Sequence, residues 1–155
     1  MKILVVYDTY FGNTEKVAKA IGGALDGDVQ VLRINDISAE QLTGLDYLIL
    51  GSPTRAFKPT KAITNFLNHL STGALSGVKV AAFDTRMDIK KVNNKVLTLM
   101  ASIFGYAAKP IGTRLQKKGG NLVGEPEGFI VEDSEGPLKE GELVRASNWA
   151  KKIIT

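Results

Sequence analysis

The sequence predicts an α/β fold: a doubly wound, five-stranded parallel sheet of order 2-1-3-4-5 in a three-layer α/β/α sandwich. Short runs rich in Val, Ile and Leu alternate along the chain with segments whose apolar side chains follow the helical period. Parallel strands need a crossover connection, which is usually a helix. Because such crossovers are right-handed, few strand orders remain, and we favour 2-1-3-4-5 among them.

The first half of the chain predicts three strands. Lys2–Tyr7 is a continuous apolar run, typical of a strand buried on both faces. A polar turn follows it, and apolar side chains then recur at i, i+4, i+7 and i+8 from Val17, which indicates a helix. Val29–Ile34 is more polar, as an edge strand would be, and leads to a weak helix near Ala39–Leu42. Tyr47–Gly51 is the third predicted strand.

A second helix and a fourth strand follow. Apolar side chains at i, i+3, i+4 and i+7 from Ile63 indicate an amphipathic helix, with Pro59 near its start and Gly73 beyond its end. Val78–Phe83 is the fourth strand, and it leads directly into Asp84-Thr85-Arg86.

The last third predicts three helices around an interrupted strand. Val92–Phe104 has helical period, and Ala107–Lys118 fits a further helix. The fifth strand lies within Asn121–Val131, where an internal proline and glycine favour a bulge or a break. Gly141–Ile154 closes the chain as a helix, and we expect its Trp149 to belong to the core.

Length and composition favour one domain over residues 1–155. The 155 residues are 44% hydrophobic and 23% charged, which is enough apolar surface for one core. No apolar run reaches the length of a membrane span and no signal-peptide pattern opens the sequence, so we expect a cytoplasmic protein without a membrane partner. The absence of cysteine excludes disulfides and catalytic thiols, and a single histidine, His69, disfavours a metal site.

The charge distribution is uneven. The chain has 20 Lys and Arg against 16 Asp and Glu, but seven of the acidic residues fall between Glu125 and Glu142. The lysines without acidic neighbours are Lys58, Lys61, Lys90, Lys91, Lys95, Lys117 and Lys118. They form either a solvated face or a field that steers an anionic cofactor or an acidic protein partner. No nucleic-acid motif accompanies them, so we expect no nucleic-acid partner.

The fold predicts where a ligand would bind. In an open parallel sheet, ligands lie beyond the carboxyl ends of the strands where the strand order reverses, here between strands 1 and 3. Three loops meet there: Asp8–Thr14, Gly51–Pro59 and the segment from Asp84 onward. The first is rich in hydroxyl and amide side chains and runs into a helix, whose free N–H groups attract anions. The local residues alone fit a phosphate cradle or a capped helix start without a ligand.

These loops resemble those of a known family. The run Val5-Val6-Tyr7-x-Thr9-x-x-Gly12-Asn13-Thr14-x-x-x-Ala18 is similar to the flavodoxin signature, the loop that holds the phosphate of FMN. Gly51-Ser52-Pro53-Thr54 resembles the second flavin loop, and Asp84-Thr85-Arg86 stands where the third begins. The residues implied to bind the FMN phosphate are Thr9, Tyr10, Phe11, Gly12, Asn13 and Thr14. Those implied to flank the isoalloxazine ring are Pro53, Thr54, Arg55, Ala56, Phe57, Lys58, Asp84, Thr85, Arg86 and Met87.

The chain departs from the family pattern in specific ways. Phe11 replaces a third hydroxyl residue, and no glycine lies between Ser52 and Pro59, where flavodoxins commonly have one. Phe57 and Tyr10 are the aromatic side chains nearest the expected ring. Arg55, Lys58 and Arg86 are the nearest cations, and Asp8 and Asp84 either tune the flavin or cap their loops; we favour the cap.

The resemblance implies an FMN-binding electron-transfer protein that acts with redox partner proteins, as a monomer or weak dimer. It implies an electron carrier rather than an enzyme with its own substrate. A first alternative is a small FMN-dependent quinone or NAD(P)H reductase with a substrate shelf in Met87–Tyr106, formed by Leu97, Met100 and Phe104. A second is a flavodoxin-like binding module that has lost its flavin. A phospho-acceptor receiver domain is excluded, because Asp8 stands alone and no aspartate ends the third strand.

Overall fold

The computed structural model describes residues 1–88 and 94–154, without the side chains of Ile103 and Phe104. The strands are β1 (Lys2–Tyr7), β2 (Asp28–Arg33), β3 (Tyr47–Pro53), β4 (Lys79–Met87), β5 (Asn121–Leu122) and β6 (Glu127–Val131). The helices are α1 (Asn13–Gly23), α2 (Lys61–His69), α3 (Lys95–Phe104), α4 (Ala108–Lys117) and α5 (Glu142–Ile153). All strand pairs are parallel and follow the order β2-β1-β3-β4-β5, so the predicted fold is confirmed.

The predicted interruption of the fifth strand is confirmed as well. β5 and β6 both pair with β4, where Val80 lies opposite Leu122 and Phe83 opposite Glu127. The segment that pairs with β4 therefore advances by five residues, from Leu122 to Glu127, while β4 advances by three, so two residues form a bulge. Pro126 lies in this bulge, where its missing N–H costs no ladder hydrogen bond.

Both faces of the sheet are covered by helices. On one face, Val5, Ile49 and Phe83 pack against α1 and α5. On the other face, Val6 and Leu50 pack against α2 and α4. This double coverage explains why β1 and β3 are continuous apolar runs, since neither face of these strands meets water.

An aromatic cluster joins α5 to the sheet. Trp149 is buried, and its ring lies edge-on to Phe83 and Phe129 at centroid distances of 6.2 and 6.1 Å. These contacts agree with the core position that the sequence predicts for Trp149.

Several predicted boundaries are wrong by a few residues. β3 continues past Gly51 to Pro53 and β4 continues past Phe83 to Met87, because the two strands keep pairing with each other and β4 also pairs with β6. The segment Asp84–Met87, predicted as a loop, is therefore the end of a strand. The weak helix at Ala39–Leu42 is a 3-10 turn.

Of the predicted helix Val92–Phe104, Val92 and Asn93, like Lys90 and Lys91, lie outside the described residues; Asn94 is the N-terminal cap, and the helix runs from Lys95. Within residues 1–88 and 94–154, no helix is both long enough and apolar enough to cross a bilayer.

Candidate functional site

A cavity of about 320 Å³ opens at the carboxyl edge of the sheet, where the strand order reverses. It is formed by the loops after β1 and β3 and by the end of β4. The predicted residues that line it are Thr9, Tyr10, Phe11, Asn13, Thr14, Pro53, Thr54, Arg55, Ala56, Thr85, Arg86 and Met87. Val131 and Ser134 line it too and were missed, because only the pairing of β6 with β4 brings them to this edge of the sheet and no local pattern indicates it.

Four predicted residues do not line this cavity: Gly12, Phe57, Lys58 and Asp84. Gly12 is the N-terminal cap of α1 and sets the backbone turn of the first loop, and Asp84 is fully buried beneath the floor of the cavity. Lys58 is exposed on the outer side of the second loop.

The first loop, between β1 and α1, places several backbone N–H groups at the cavity. Gly12 has φ +91° and is the N-terminal cap of α1, a conformation that other residues rarely adopt. Its own N–H donates to the Thr9 hydroxyl at 2.9 Å, which holds the turn closed. In the described part of the chain, the backbone N–H groups of residues 10, 11, 13, 14 and 15 have no acceptor. This arrangement suits an anion, since the donors converge at the positive end of a helix dipole.

Side chains tie this loop to its neighbours. The Thr14 and Thr85 hydroxyls are 2.8 Å apart and buried, which joins α1 to the end of β4. The Asn13 side-chain amide donates to the Glu135 carbonyl at 3.1 Å and does not cap the helix. Thus Asn13 fixes the fourth wall of the cavity.

Arg33 at the end of β2 supports the first loop and was not predicted. Its guanidinium donates to the Thr9 carbonyl at 2.8 Å and lies 3.4 Å from the Asp8 carboxylate. Asp8 in turn accepts the Thr9 N–H at 2.9 Å, so it caps the loop as favoured from the sequence. The feature that could have predicted this contact is the register of β1 and β2, because it puts Arg33 opposite Tyr7, the last residue before the first loop.

The second loop is a tight hairpin built without glycine. Arg55 and Lys58 exchange two backbone hydrogen bonds of 2.9 Å, and the residues between them, Ala56 and Phe57, have φ of 48° and 66°. Two positive φ values are typical of the turn that joins two strands through two residues. The Phe57 ring lies 6.4 Å from the Tyr106 ring, outside the cavity wall.

Aromatic rings stand at the cavity mouth. Tyr10 and Phe11 are 55% and 48% exposed, unusual for side chains of this size. The Arg55 guanidinium lies 5.0 Å from the Tyr10 ring centre and 5.8 Å from that of Phe11. This cation therefore bridges the first and second loops across the mouth.

The floor holds an ion pair between buried Asp84 and partly exposed Arg86. Arg86 donates through Nε and Nη2 to the two oxygens of Asp84, both at 2.7 Å, and Asp84 also accepts the Ala108 N–H at 2.8 Å. Burial raises the pKa of Asp84, and the Arg86 charge opposes this rise. The sequence predicts Arg86 as a cation beside a ring, but its charge is matched by Asp84. Asp84 therefore holds Arg86 and the first N–H of α4; the sequence predicted the cap of a loop, which is wrong because β4 continues through Asp84 to Met87.

Two contacts hold the Arg86 guanidinium flat. It stacks 3.8 Å from the Tyr106 ring centre, and a Cβ at Gly128 would fall on its Nε. Tyr106 was missed because it lies twenty residues after Arg86 in the sequence, and no local pattern links the two.

Comparisons with known proteins agree with this architecture. The Flavodoxin_5 model, described as a flavodoxin domain, matches residues 4–120. A probable flavodoxin 1 of Bacillus subtilis (strain 168) is 33% identical over 87 residues, which is 53% of this chain. The match covers 54% of that relative, so it spans about half of its length.

Solved structures share the fold over the whole length. Oxidised flavodoxin 2 from Bacillus cereus superimposes with a TM-score of 0.75 at 27% identity, covering 99% of this chain and 97% of the other. A flavodoxin from the domain Archaea gives a TM-score of 0.75 at 20% identity, covering 99% and 96%, and at that identity supports the fold alone. Because the family model matches more than half of the sequence and the three loops meet at one cavity, this chain belongs to the flavodoxin domain family, which implies a flavin cofactor.

Proposed function

We propose that this chain is an electron-transfer protein that binds FMN in the cavity between the loops after β1 and β3 and the end of β4. The observation that carries the proposal is the set of backbone N–H groups of residues 10, 11, 13, 14 and 15, which have no acceptor among the described residues and border a cavity large enough for part of a ring system. A phosphate needs such donors, and no acidic side chain lines the cavity among the described residues. When bound, the flavin supplies the redox chemistry, and the protein supplies orientation and electrostatics.

The cavity residues would have different roles in binding the flavin. The turn around Gly12 would hold the phosphate, and Tyr10 and Phe11 would cover the ring from the mouth. Arg86 is neutralised by Asp84, so it contributes a flat, rigid floor more than a charge. Arg55 forms no ion pair within residues 1–88 and 94–154. We therefore assign Arg55 as the cation that favours the reduced, anionic flavin.

An electron carrier fits the described cavity better than a reductase does. The reductase alternative needs a substrate shelf over the ring, formed by Leu97, Met100 and Phe104. No described residue of α3 lines the cavity, and the Phe104 side chain lies outside the described ones. Flavodoxins transfer electrons to partner proteins, and the basic surplus of this chain favours an acidic redox partner.

The test is a spectrum and a reduction experiment. The purified chain is titrated with FMN, and the complex is reduced stepwise with dithionite and then mixed with an oxidised redox protein. We expect one FMN per chain, reversible reduction and delivery of the electrons to the acceptor protein, without oxidation of NADPH by quinone. A chain that ignores added FMN would contradict the proposal and favour the flavin-free binding module.

A further inference from the structure

Helix α3 exposes more apolar surface than a helix packed on a sheet should. Val96 and Leu99 are 66% and 59% exposed, and none of the described side chains of α3 is buried. Every other helix buries at least two side chains. Exposed apolar helix faces cost solubility, so a surface of this kind indicates a binding partner.

The same region is strongly basic. The described residues 94–120 contain five Lys and Arg and no Asp or Glu, in a chain whose net charge is only +4. A groove of about 470 Å³ lies where α3 meets α4, and Lys109, Arg114 and Lys117 line it together with Ser102 of α3. In the described part of the chain, none of these three cations forms an ion pair.

The apolar and basic features form one surface. Lys95, Leu99 and Ser102 are spaced at i, i+4 and i+7, so they lie on one stripe of α3, and Ser102 brings this stripe to the groove. We call this the α3–α4 surface and define it by Lys95, Val96, Leu99, Lys109, Arg114 and Lys117.

This surface adjoins the cavity. Tyr106, between α3 and α4, stacks on Arg86 of the cavity wall. The next residue, Ala107, donates its N–H to the hydroxyl of Thr54, which also lines the cavity, at 3.2 Å. A protein bound to the α3–α4 surface would therefore sit beside a flavin in the cavity.

We propose that the α3–α4 surface docks an acidic redox protein, whose apolar patch covers Val96 and Leu99 while surrounding carboxylates meet Lys109, Arg114 and Lys117. This proposal rests on the proposed function for the role of the partner, but not for its binding. Charge complementarity selects the occupant, because opposite fields speed and orient association. A second copy of this chain would bring like charges together. A nucleic acid would satisfy the cations but leave the exposed Val96 and Leu99 without a use.

The experiment measures binding of an acidic [2Fe–2S] ferredoxin to the ¹⁵N-labelled chain, without flavin and with FMN. We expect amide shifts that cluster on residues 95–99 and 109–117, in both states. The double variant Lys109→Glu/Lys117→Glu should weaken binding at least about tenfold, and raising the salt concentration should weaken it for the unmodified chain. The matched control is Lys151→Glu/Lys152→Glu on α5, which makes the same charge change on the opposite face of the sheet and should leave binding within about twofold.

The apolar contribution has its own variant. Val96→Ser/Leu99→Ser removes only exposed side chains, so it should fold normally and still weaken binding several-fold. FMN affinity should be unchanged in all these variants, since none of the substituted residues lines the cavity.

Four results would overturn the proposal. The first two are ferredoxin shifts that cluster elsewhere and an equal loss of binding in the α5 control. The other two are tighter binding of oligouridylate at the same lysines and a dimer in sedimentation that Leu99→Ser abolishes. Failure of FMN to bind would be distinct, because ferredoxin binding to the flavin-free chain is measured independently.

Discussion

The turn at Gly12 allows a substitution that separates backbone conformation from steric clash. Gly12 has φ +91°, and a Cβ built there meets no heavy atom within 4 Å. Gly12→Ala therefore costs only the strain of a left-handed residue, about 1–2 kcal/mol. Gly44, in the turn before β3, has φ +69° and equally empty surroundings, so Gly44→Ala carries the same cost away from the cavity.

The two variants should differ in ligand affinity and agree in stability. Urea unfolding should show a loss of about 1–2 kcal/mol in both. Relief of the strain at Gly12 turns the following N–H groups away from the cavity, so FMN affinity should fall at least about tenfold, or about 1.4 kcal/mol. Gly44→Ala should bind FMN like the unmodified chain. Wild-type FMN affinity in Gly12→Ala, at the expected loss of stability, would refute the phosphate role of this loop.

Three further substitutions test other parts of the structure. Asp84→Asn should lower the free energy of unfolding by about 2–3 kcal/mol, because it leaves Arg86 unpaired, although the partial exposure of Arg86 reduces the penalty for a buried pair. Burial and the Glu15 carboxylate raise the pKa of Tyr7 to about 12. The protonated Tyr7 hydroxyl therefore contributes fully to the free energy of unfolding below pH 10, and this contribution is lost as pH rises toward 12. Tyr7→Phe should remove this pH dependence. Ala56→Asn should raise the free energy of unfolding by about 0.5–1 kcal/mol, because Asn tolerates the positive φ of this position.

Each substitution has its own control. Chemical unfolding at pH 7 compares Asp84→Asn with Asp84→Asn/Arg86→Met, which should recover part of the loss; no recovery would contradict the pairing. Alkaline unfolding monitors Tyr7→Phe, and a slope equal to that of the unmodified chain between pH 10 and 12 would show that another group is responsible. The control for Ala56→Asn is Ala39→Asn in an exposed 3-10 turn, which should not raise the free energy of unfolding. If Ala39→Asn raised it as much as Ala56→Asn does, relief of backbone strain at Ala56 would be excluded as the cause.

Local patterns were sufficient to predict most of the fold. The continuous apolar run of β1 and the more polar run of β2 predicted a central and an edge strand, and both positions are confirmed. The proline and glycine near the fifth strand predicted its interruption for the same reason, since they act on the residues beside them.

The missed features depend on contacts between distant segments. Arg33 reaches Thr9 through the pairing of β1 with β2, and no local pattern records that contact. The left-handed Ala56 and Phe57 run against residue preference, so the sequence argued for an ordinary loop. The Asp84–Arg86 pair was accessible, since residues two apart in a strand share a face, but only if β4 had been extended past Phe83.

Parallel titrations of the unmodified chain with FMN and riboflavin test the central claim most directly, because the two ligands share the ring and differ only in the phosphate. If the N–H groups of residues 10, 11, 13, 14 and 15 hold the phosphate, FMN should bind at least about a hundredfold more tightly, equivalent to roughly two charge-assisted hydrogen bonds. Equal affinities would contradict the account, since they would show that the loop after β1 contributes nothing to FMN binding through the phosphate.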